Sequence, residues 1–308
     1  QAMTKLIKTI LCGEIWTPLE HLSHQVLCLA DGKISRLLPM VDSASSGEGV
    51  VDARDAIVVP GLVDIQVNGA LGYSFQAAHR ERFDDIVCFH RNAGTTTLLP
   101  TLVTAEASIL QASLATLADY LPRAPHVTLP GMHLEGPFLS VERRGAHDPT
   151  ALQSPDLTLA QRFAEAANGM LKMLTLAPEL PGALPVIAHL AQRGVVVSAG
   201  HSEATYRDMR RALEVGLSFV THAGNASDWP HRSMGELGFL MSEPGIVGSL
   251  MCEPRLGGSV IFDGYHFHPA LLRPLLRLKG LSHLVIISDA SSVVGCPPGF
   301  YESGGLSV

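Results

Sequence analysis

The chain has 308 residues, 46% hydrophobic and 17% charged, a composition that belongs to a folded protein and excludes a disordered one. Lys and Arg number 22 against 29 Asp and Glu, a formal net charge of −7, so there is no basic surplus to neutralise a phosphate backbone and nucleic acid is not expected as a partner. No run of about 18 apolar residues occurs, so no membrane-spanning helix is expected, and the opening QAMTKLIKTI lacks the apolar core of a secretory signal.

Residues 1–57 carry short strand-like runs at 6–12, 25–30 and 33–38, with Asp31-Gly32 between the last two as a hairpin signal. A polar loop, DSASSGEG, follows at 42–49. This part reads as a small β domain. From residue 58 to 308, apolar runs of strand length alternate with longer helical stretches. The expected strands are 58–67, 95–101, 127–134, 173–177, 195–199, 217–221, 260–263 and 284–288. Helices are expected at 82–92, 106–120, 159–167, 203–214 and 269–279. This alternation predicts an α/β chain whose second part is a (β/α)8 TIM-like barrel.

Such a barrel builds its active site from the C-terminal ends of its strands. Strand 1 ends in Gln66 and Asn68, and strand 3 in His133-Leu134-Glu135. Strands 5 and 6 end in His201 and His222, strand 7 in Asp263-Gly264-Tyr265-His266, and strand 8 in Ser288-Asp289. One histidine at a strand end is most simply a hydrogen-bonded residue. Glu135, His201 and His222 on one rim are instead the two-histidine, one-carboxylate set of a catalytic zinc or ferrous site. Asp289, after an apolar run, is placed to take a proton from water and pass it on. Its alternative is a helix cap. His147, in the loop after Glu135, can hydrogen-bond a carbonyl oxygen or belong to a plain turn.

The five cysteines, Cys12, Cys28, Cys88, Cys252 and Cys296, are scattered without a C-x-x-C pair. Neither a disulfide framework nor a thiolate zinc site is expected, and a cytoplasmic location fits.

With these residues in view, the chain resembles the N-acetylglucosamine-6-phosphate deacetylase family of the amidohydrolase superfamily. The segments that carry the resemblance are PGLVDIQVNG (60–69), LPTLVT (99–104), HLEGPFLS (133–140), RGAHDP (144–149), SAGHSEAT (198–205), THAGNA (221–226), EPGIVGS (243–249), DGYH (263–266) and SDA (288–290). The resemblance implies one divalent metal ion per subunit, zinc or iron, on Glu135, His201 and His222, with Asp289 as general base and acid. It implies that His147 polarises the amide oxygen. His266 and the backbone at Asn225 and Ala226 would hold the sugar or its phosphate.

Gln66 and Asn68 stand where many amidohydrolases carry His-x-His and a second metal. As poor transition-metal ligands they are assigned to the substrate side of the site. Two features depart from the family pattern. Ser227 replaces a methionine, and Ser242 stands where an arginine that reaches the substrate phosphate precedes Glu-Pro-Gly. Arg232 is a candidate replacement, with a solvated loop residue as the alternative. The family also continues past strand 8 with strands that complete the small β domain, so the C-terminal end is expected to be incomplete.

The expected function is metal-dependent hydrolysis of the N-acetyl group of an amino sugar phosphate by a cytoplasmic homodimer. The partner is a small amino sugar, with no nucleic acid and no membrane. The alternatives are an amidohydrolase for another N-acyl or cyclic amide, and a barrel that binds a sugar phosphate without catalysis. Lys172, the lysine nearest strand 4, sits at the start of that strand, which argues against a bridging modified lysine and against a Schiff base.

Overall fold

Two sheets organise the chain in a computed structural model that describes residues 8–41, 47–125, 127–227, 231–234, 240–304 and 306–307. At 231–234, 240 and 241 the description is of the backbone alone. The chain forms two compact units, Gln1–Gly61 and Leu62–Val308.

In the first unit, β1 (Thr9–Trp16), β2 (His21–Ala30), β3 (Lys33–Pro39) and β4 (Val50–Val58) form one sheet in the order β3-β2-β1-β4. The β2–β3 hairpin turns on Asp31 and Gly32, whose φ values of 51° and 72° give the strands their favoured twist. Cys12, Ile15 and Leu27 form a small core on one face. Strand β4 lies outside the expected elements and pairs parallel to β1. Its polar DARD stretch interrupts the apolar alternation that marks a strand. Of the expected loop at 42–49, residues 42–46 lie outside the described residues.

The second unit holds eight parallel strands. They are β5 (Leu62–Val67), β6 (Thr95–Val103), β7 (Met132–Glu135), β8 (Leu171–Leu176), β9 (Val196–Ala199), β10 (Leu217–Val220), β11 (Gly257–Ile261) and β12 (Leu284–Ile287). Their spatial order follows the chain. The ring closes between β12 and β5 through a parallel bridge of Val67 with Ala290, and Asn68 N–H donates to the Ala290 carbonyl at 2.9 Å. Asp64 adds to this seam, since its carboxylate accepts the Ser288 N–H at 3.2 Å and the Gln66 N–H at 3.1 Å.

Several expected limits shift. The expected strand 58–67 is two elements, because Val58 ends β4 and the barrel strand starts at Leu62. The expected strand 127–134 is strand only from Met132, and strand 7 starts at Gly257 rather than 260.

The helices are α1 (Phe83–Asn92), α2 (Ala107–Tyr120), α3 (Leu157–Ala166), α4 (Ala183–Gln192), α5 (Tyr206–Glu214), α6 (Ile246–Cys252) and α7 (Pro269–Lys279). Asp156 caps α3 by accepting the Leu159 N–H at 2.7 Å, and Thr205 with Asp208 forms a reciprocal capping box on α5. Helices α4 and α6 lie outside the helical stretches named from the sequence. The prolines before and within the first turn of α4 (PELPGALP) mask its helical pattern, and α6 is only seven residues long with Gly248 inside it. Phe83, Leu98, Leu102, Leu110, Leu117 and Phe163 belong to the main buried cluster of this unit. No described helix is long and apolar enough to cross a membrane.

Candidate active site

Glu135 is the last residue of β7, and its carboxylate is 3% exposed. Four side chains reach it. Gln66 Nε2 donates to Oε1 at 3.0 Å, and His222 Nε2 lies 2.8 Å from the same oxygen. His201 Nε2 lies 3.3 Å from Oε1, and His147 Nε2 lies 3.6 Å from Oε2. All three imidazoles are buried. They stand edge to face, with ring centres 4.4 Å apart for His147 and His201 and 4.9 Å for His201 and His222.

The elements explain the convergence. His201, His222 and Asp289 each stand two residues past the end of a strand, β9, β10 and β12 respectively. Their φ values of 48°, 27° and 49° are left-handed. Such a backbone costs about 1–3 kcal/mol per residue and persists only where the surroundings impose it. Gly136 has φ 86°, and a Cβ there would collide with the Thr104 hydroxyl. That close approach leaves the Thr104 hydroxyl 3.4 Å from the Glu135 carbonyl and 2.9 Å from His147 Nδ1, and its one proton goes to one or the other.

Proton placement tests whether a cation fits. His201 Nδ1 pairs with the Arg143 carbonyl at 2.9 Å. A carbonyl only accepts, so Nδ1 carries a proton and Nε2 is the nitrogen that faces Glu135. The Thr104 hydroxyl can accept from or donate to His147 Nδ1, so either tautomer of that ring is served. Burial would raise the Glu135 carboxyl, but its contacts with His201 and His222 hold it well below the usual range. Burial would lower His222, but the hydrogen bond and charge of Glu135 hold it up at about 9. Burial lowers His147 to about 4, against the charge of Glu135. One buried anion faced by three ring nitrogens, with no competing partner for them among the described residues, is a donor set suited to a divalent cation.

Distance alone groups Glu135, His147 and His201, whose ligand atoms lie within 4.8 Å of one another. His222 makes the shorter contact, at 2.8 Å, and shares Oε1 with His201.

Asp289 is half-buried, and Asn68 Nδ2 donates to its Oδ1 at 2.8 Å. Desolvation, with the nearby charge of Glu135, raises its carboxyl to about 6. A carboxyl poised there exchanges a proton readily near neutral pH.

No family model matches the chain. Curated relatives do. It is 30% identical over 312 residues to the N-acetylglucosamine-6-phosphate deacetylase of Bacillus subtilis, covering 100% of this chain and 76% of the relative. It is 32% identical to the N-acetylgalactosamine-6-phosphate deacetylase of Escherichia coli O157:H7, covering 92% of this chain and 71% of the relative. The chain belongs to the N-acetylglucosamine-6-phosphate deacetylase family. Among solved structures, a variant of the Mycobacterium smegmatis deacetylase in complex with N-acetyl-D-glucosamine-6-phosphate superimposes with a TM-score of 0.83 at 33% identity, covering 97% of this chain and 75% of the other. This deacetylase-family chain is therefore a metal-dependent amidohydrolase on a (β/α)8 barrel with a small β domain.

The remaining expected site residues lie in the loops after β10 and β11. Asn225 Nδ2 donates to the His222 carbonyl at 3.4 Å, and Ala226 has φ 47°. His266 pairs through Nδ1 with Asp263 at 2.6 Å on an exposed turn. Gly224 has φ 89° and packs against the Phe267 ring with no room for a Cβ, which brings the two loops side by side. The expected inserted loop at 228–240 includes part of a hairpin, where His231–Met234 pairs antiparallel with Leu240–Glu243 and Arg232 stands opposite Ser242. Residues 228–230 and 235–239 and the Arg232 side chain lie outside the described structure. Lys172 lies on the outer start of β8, donating to the Gly169 carbonyl at 3.2 Å.

Sequence reasoning missed Thr104, the Arg143 carbonyl and a buried chain in the barrel interior. In that chain His133 meets Thr175 at 2.8 Å, Thr175 meets Thr221 at 2.7 Å, and Thr221 meets Ser198 at 2.6 Å.

Proposed function

We propose that the chain hydrolyses the acetamide of a 6-phosphorylated N-acetyl amino sugar, releasing acetate and the amino sugar phosphate. The observation that carries this reading is the convergence of three imidazoles on the buried Glu135 carboxylate, with Asp289 close enough to feel its charge.

Glu135, His201 and His222 are the proposed ligands, because both imidazoles approach one carboxylate oxygen. The nitrogen and oxygen donors suit zinc or ferrous iron. One ion per subunit goes with Gln66 and Asn68, neutral amides that are poor ligands for a transition metal and that turn their nitrogens to Glu135 and Asp289. When bound, such a cation supplies Lewis-acid activation of a water and of the amide carbonyl.

The chain's own groups supply the rest. Asp289 takes the proton of the attacking water and delivers it to the leaving nitrogen. In this reading the Thr104 hydroxyl gives its one proton to His147 Nδ1 rather than to the Glu135 carbonyl, so that Nε2–H faces the carbonyl oxygen as negative charge builds there. The low proton affinity of His147 keeps its ring neutral at pH 7, so it donates without adding a full charge. Asn225, the Ala226 backbone and His266 hold the sugar or its phosphate, and Arg232 is the candidate phosphate contact in place of the arginine that Ser242 displaces. A homodimer in the cytoplasm goes with this reading, and the free state of all five cysteines fits a reducing compartment.

The test is acetate release from N-acetylglucosamine and N-acetylgalactosamine, each with and without a 6-phosphate, before and after chelation. The expected result is release that requires the phosphate and the metal. Release unaffected by chelator, or faster from the plain sugars, would sink the corresponding part of the reading.

A further inference from the structure

We propose that Asn68 is a positioning residue that holds the Asp289 carboxylate for proton transfer, rather than a contact for the sugar. The inference rests on the deacetylase reading above.

Three observations carry it. First, the side chain of Asn68 makes one described hydrogen bond, from Nδ2 to Asp289 Oδ1 at 2.8 Å, while its own Oδ1 is buried without a partner among the described residues. Its orientation is therefore set by Asp289. An ionised carboxylate only accepts, so the nitrogen end must face it.

Second, barrel closure does not need this side chain. The seam beside it is main chain, with Asn68 N–H on the Ala290 carbonyl and Val67 bridged to Ala290, together with Asp64 on the Ser288 N–H. Each of these bonds survives truncation at residue 68. The amide is surplus to the fold but in contact with the acid.

Third, Asp289 stands on a left-handed backbone at a strand end, φ 49°, so its side chain is not held by regular sheet geometry. A carboxylate that must accept from water and then donate to nitrogen needs one fixed oxygen and one free oxygen. Asn68 occupies Oδ1, which leaves Oδ2 to carry the proton.

A residue that acts through another has no effect once that other is gone. The experiment measures acetate release, metal content and thermal unfolding for the wild type, Asn68→Ala, Asp289→Ala and the double variant, with Asn68→Asp as a variant of equal size. We expect Asn68→Ala and Asn68→Asp to lower kcat by about 30–100-fold with KM changed less than about threefold, metal content and melting temperature being kept. In the Asp289→Ala background, removing Asn68 should cost less than about threefold.

Equal losses in both backgrounds would overturn the inference. So would a loss carried by KM, which would make Asn68 a substrate contact, or a loss that tracks metal or melting temperature, which would make it structural. If the wild type releases no acetate from any of the sugars, the functional reading falls and takes this inference with it. Release by the wild type with equal losses overturns the inference alone.

Discussion

Gln66 donates from Nε2 to Glu135 Oε1 at 3.0 Å, across the barrel mouth from β5 to β7. The position where a second metal ligand would stand offers a hydrogen-bond donor to the proposed ligand Glu135. A partner of this kind fixes the orientation of the carboxylate, and losing it typically weakens metal binding about 10–100-fold. Gln66→Leu, similar in size but without the donor, should lose metal affinity in that range while keeping the fold. Competition against a chelator of known affinity measures it, and unchanged affinity would remove Gln66 from the support of the site.

Metal uptake should depend on pH through His222. In the metal-free chain burial opposes its charge, but Glu135 holds its proton up to about 9. A ligand nitrogen must lose that proton before it binds a cation. Below about pH 9 the proton competes with the metal, so apparent affinity should rise roughly tenfold per pH unit as pH climbs from 6 to 8. His222→Gln should flatten this dependence as well as weaken binding. A wild-type affinity independent of pH over that range would show that no such proton is displaced.

How far the site was readable follows from which atoms do the binding. Glu135 ends an apolar strand and His201, His222 and Asp289 stand two residues past theirs, so the end of each run pointed to the residue delivered to the rim. The supports were hidden for physical reasons. The group that fixes His201 is a backbone carbonyl of Arg143, and a carbonyl leaves no trace in residue type. Thr104 looks like any threonine after a strand, and its role appears only because Gly136 leaves room beside it. Gln66 and Asn68, expected on the substrate side, each donate to a carboxylate, a pairing that residue type does not announce. In the fold, α4 was obscured by the prolines before and within its first turn, and β4 by its charged centre.

Asp289 is expected to dominate turnover. Asp289→Asn preserves shape and the neighbourhood of the metal but cannot take a proton, so metal content should stay whole while kcat falls by about 100-fold or more. For the wild type, burial and the Glu135 charge raise the carboxyl to about 6. The base works only when ionised, so kcat/KM should fall as pH drops through that region. A bound cation favours the ionised form, which places the acid limb at or below about pH 6. A rate profile flat from pH 4 to 7, or a fully active Asp289→Asn enzyme with metal bound, would take the acid out of the reaction.

The contact between Gly224 and Phe267 sets the last expectation. It joins the loop that carries Asn225 and Ala226 to the loop that carries His266, and the glycine needs both its left-handed φ of 89° and its missing Cβ. Gly224→Ala adds a left-handed alanine and a clash with the ring, together about 2–4 kcal/mol. The ring can relieve the clash only by moving the 263–267 turn, because His222 on the other side is anchored by its N–H to Ser259 Oγ at 2.9 Å. The displacement therefore falls on His266. KM for the phosphorylated sugar should rise by at least about tenfold, with a smaller change in kcat and full metal content, since Glu135 and His201 lie on other elements. Equal damage to kcat and to metal content would show that the two loops are not separable from the metal ligands in this way.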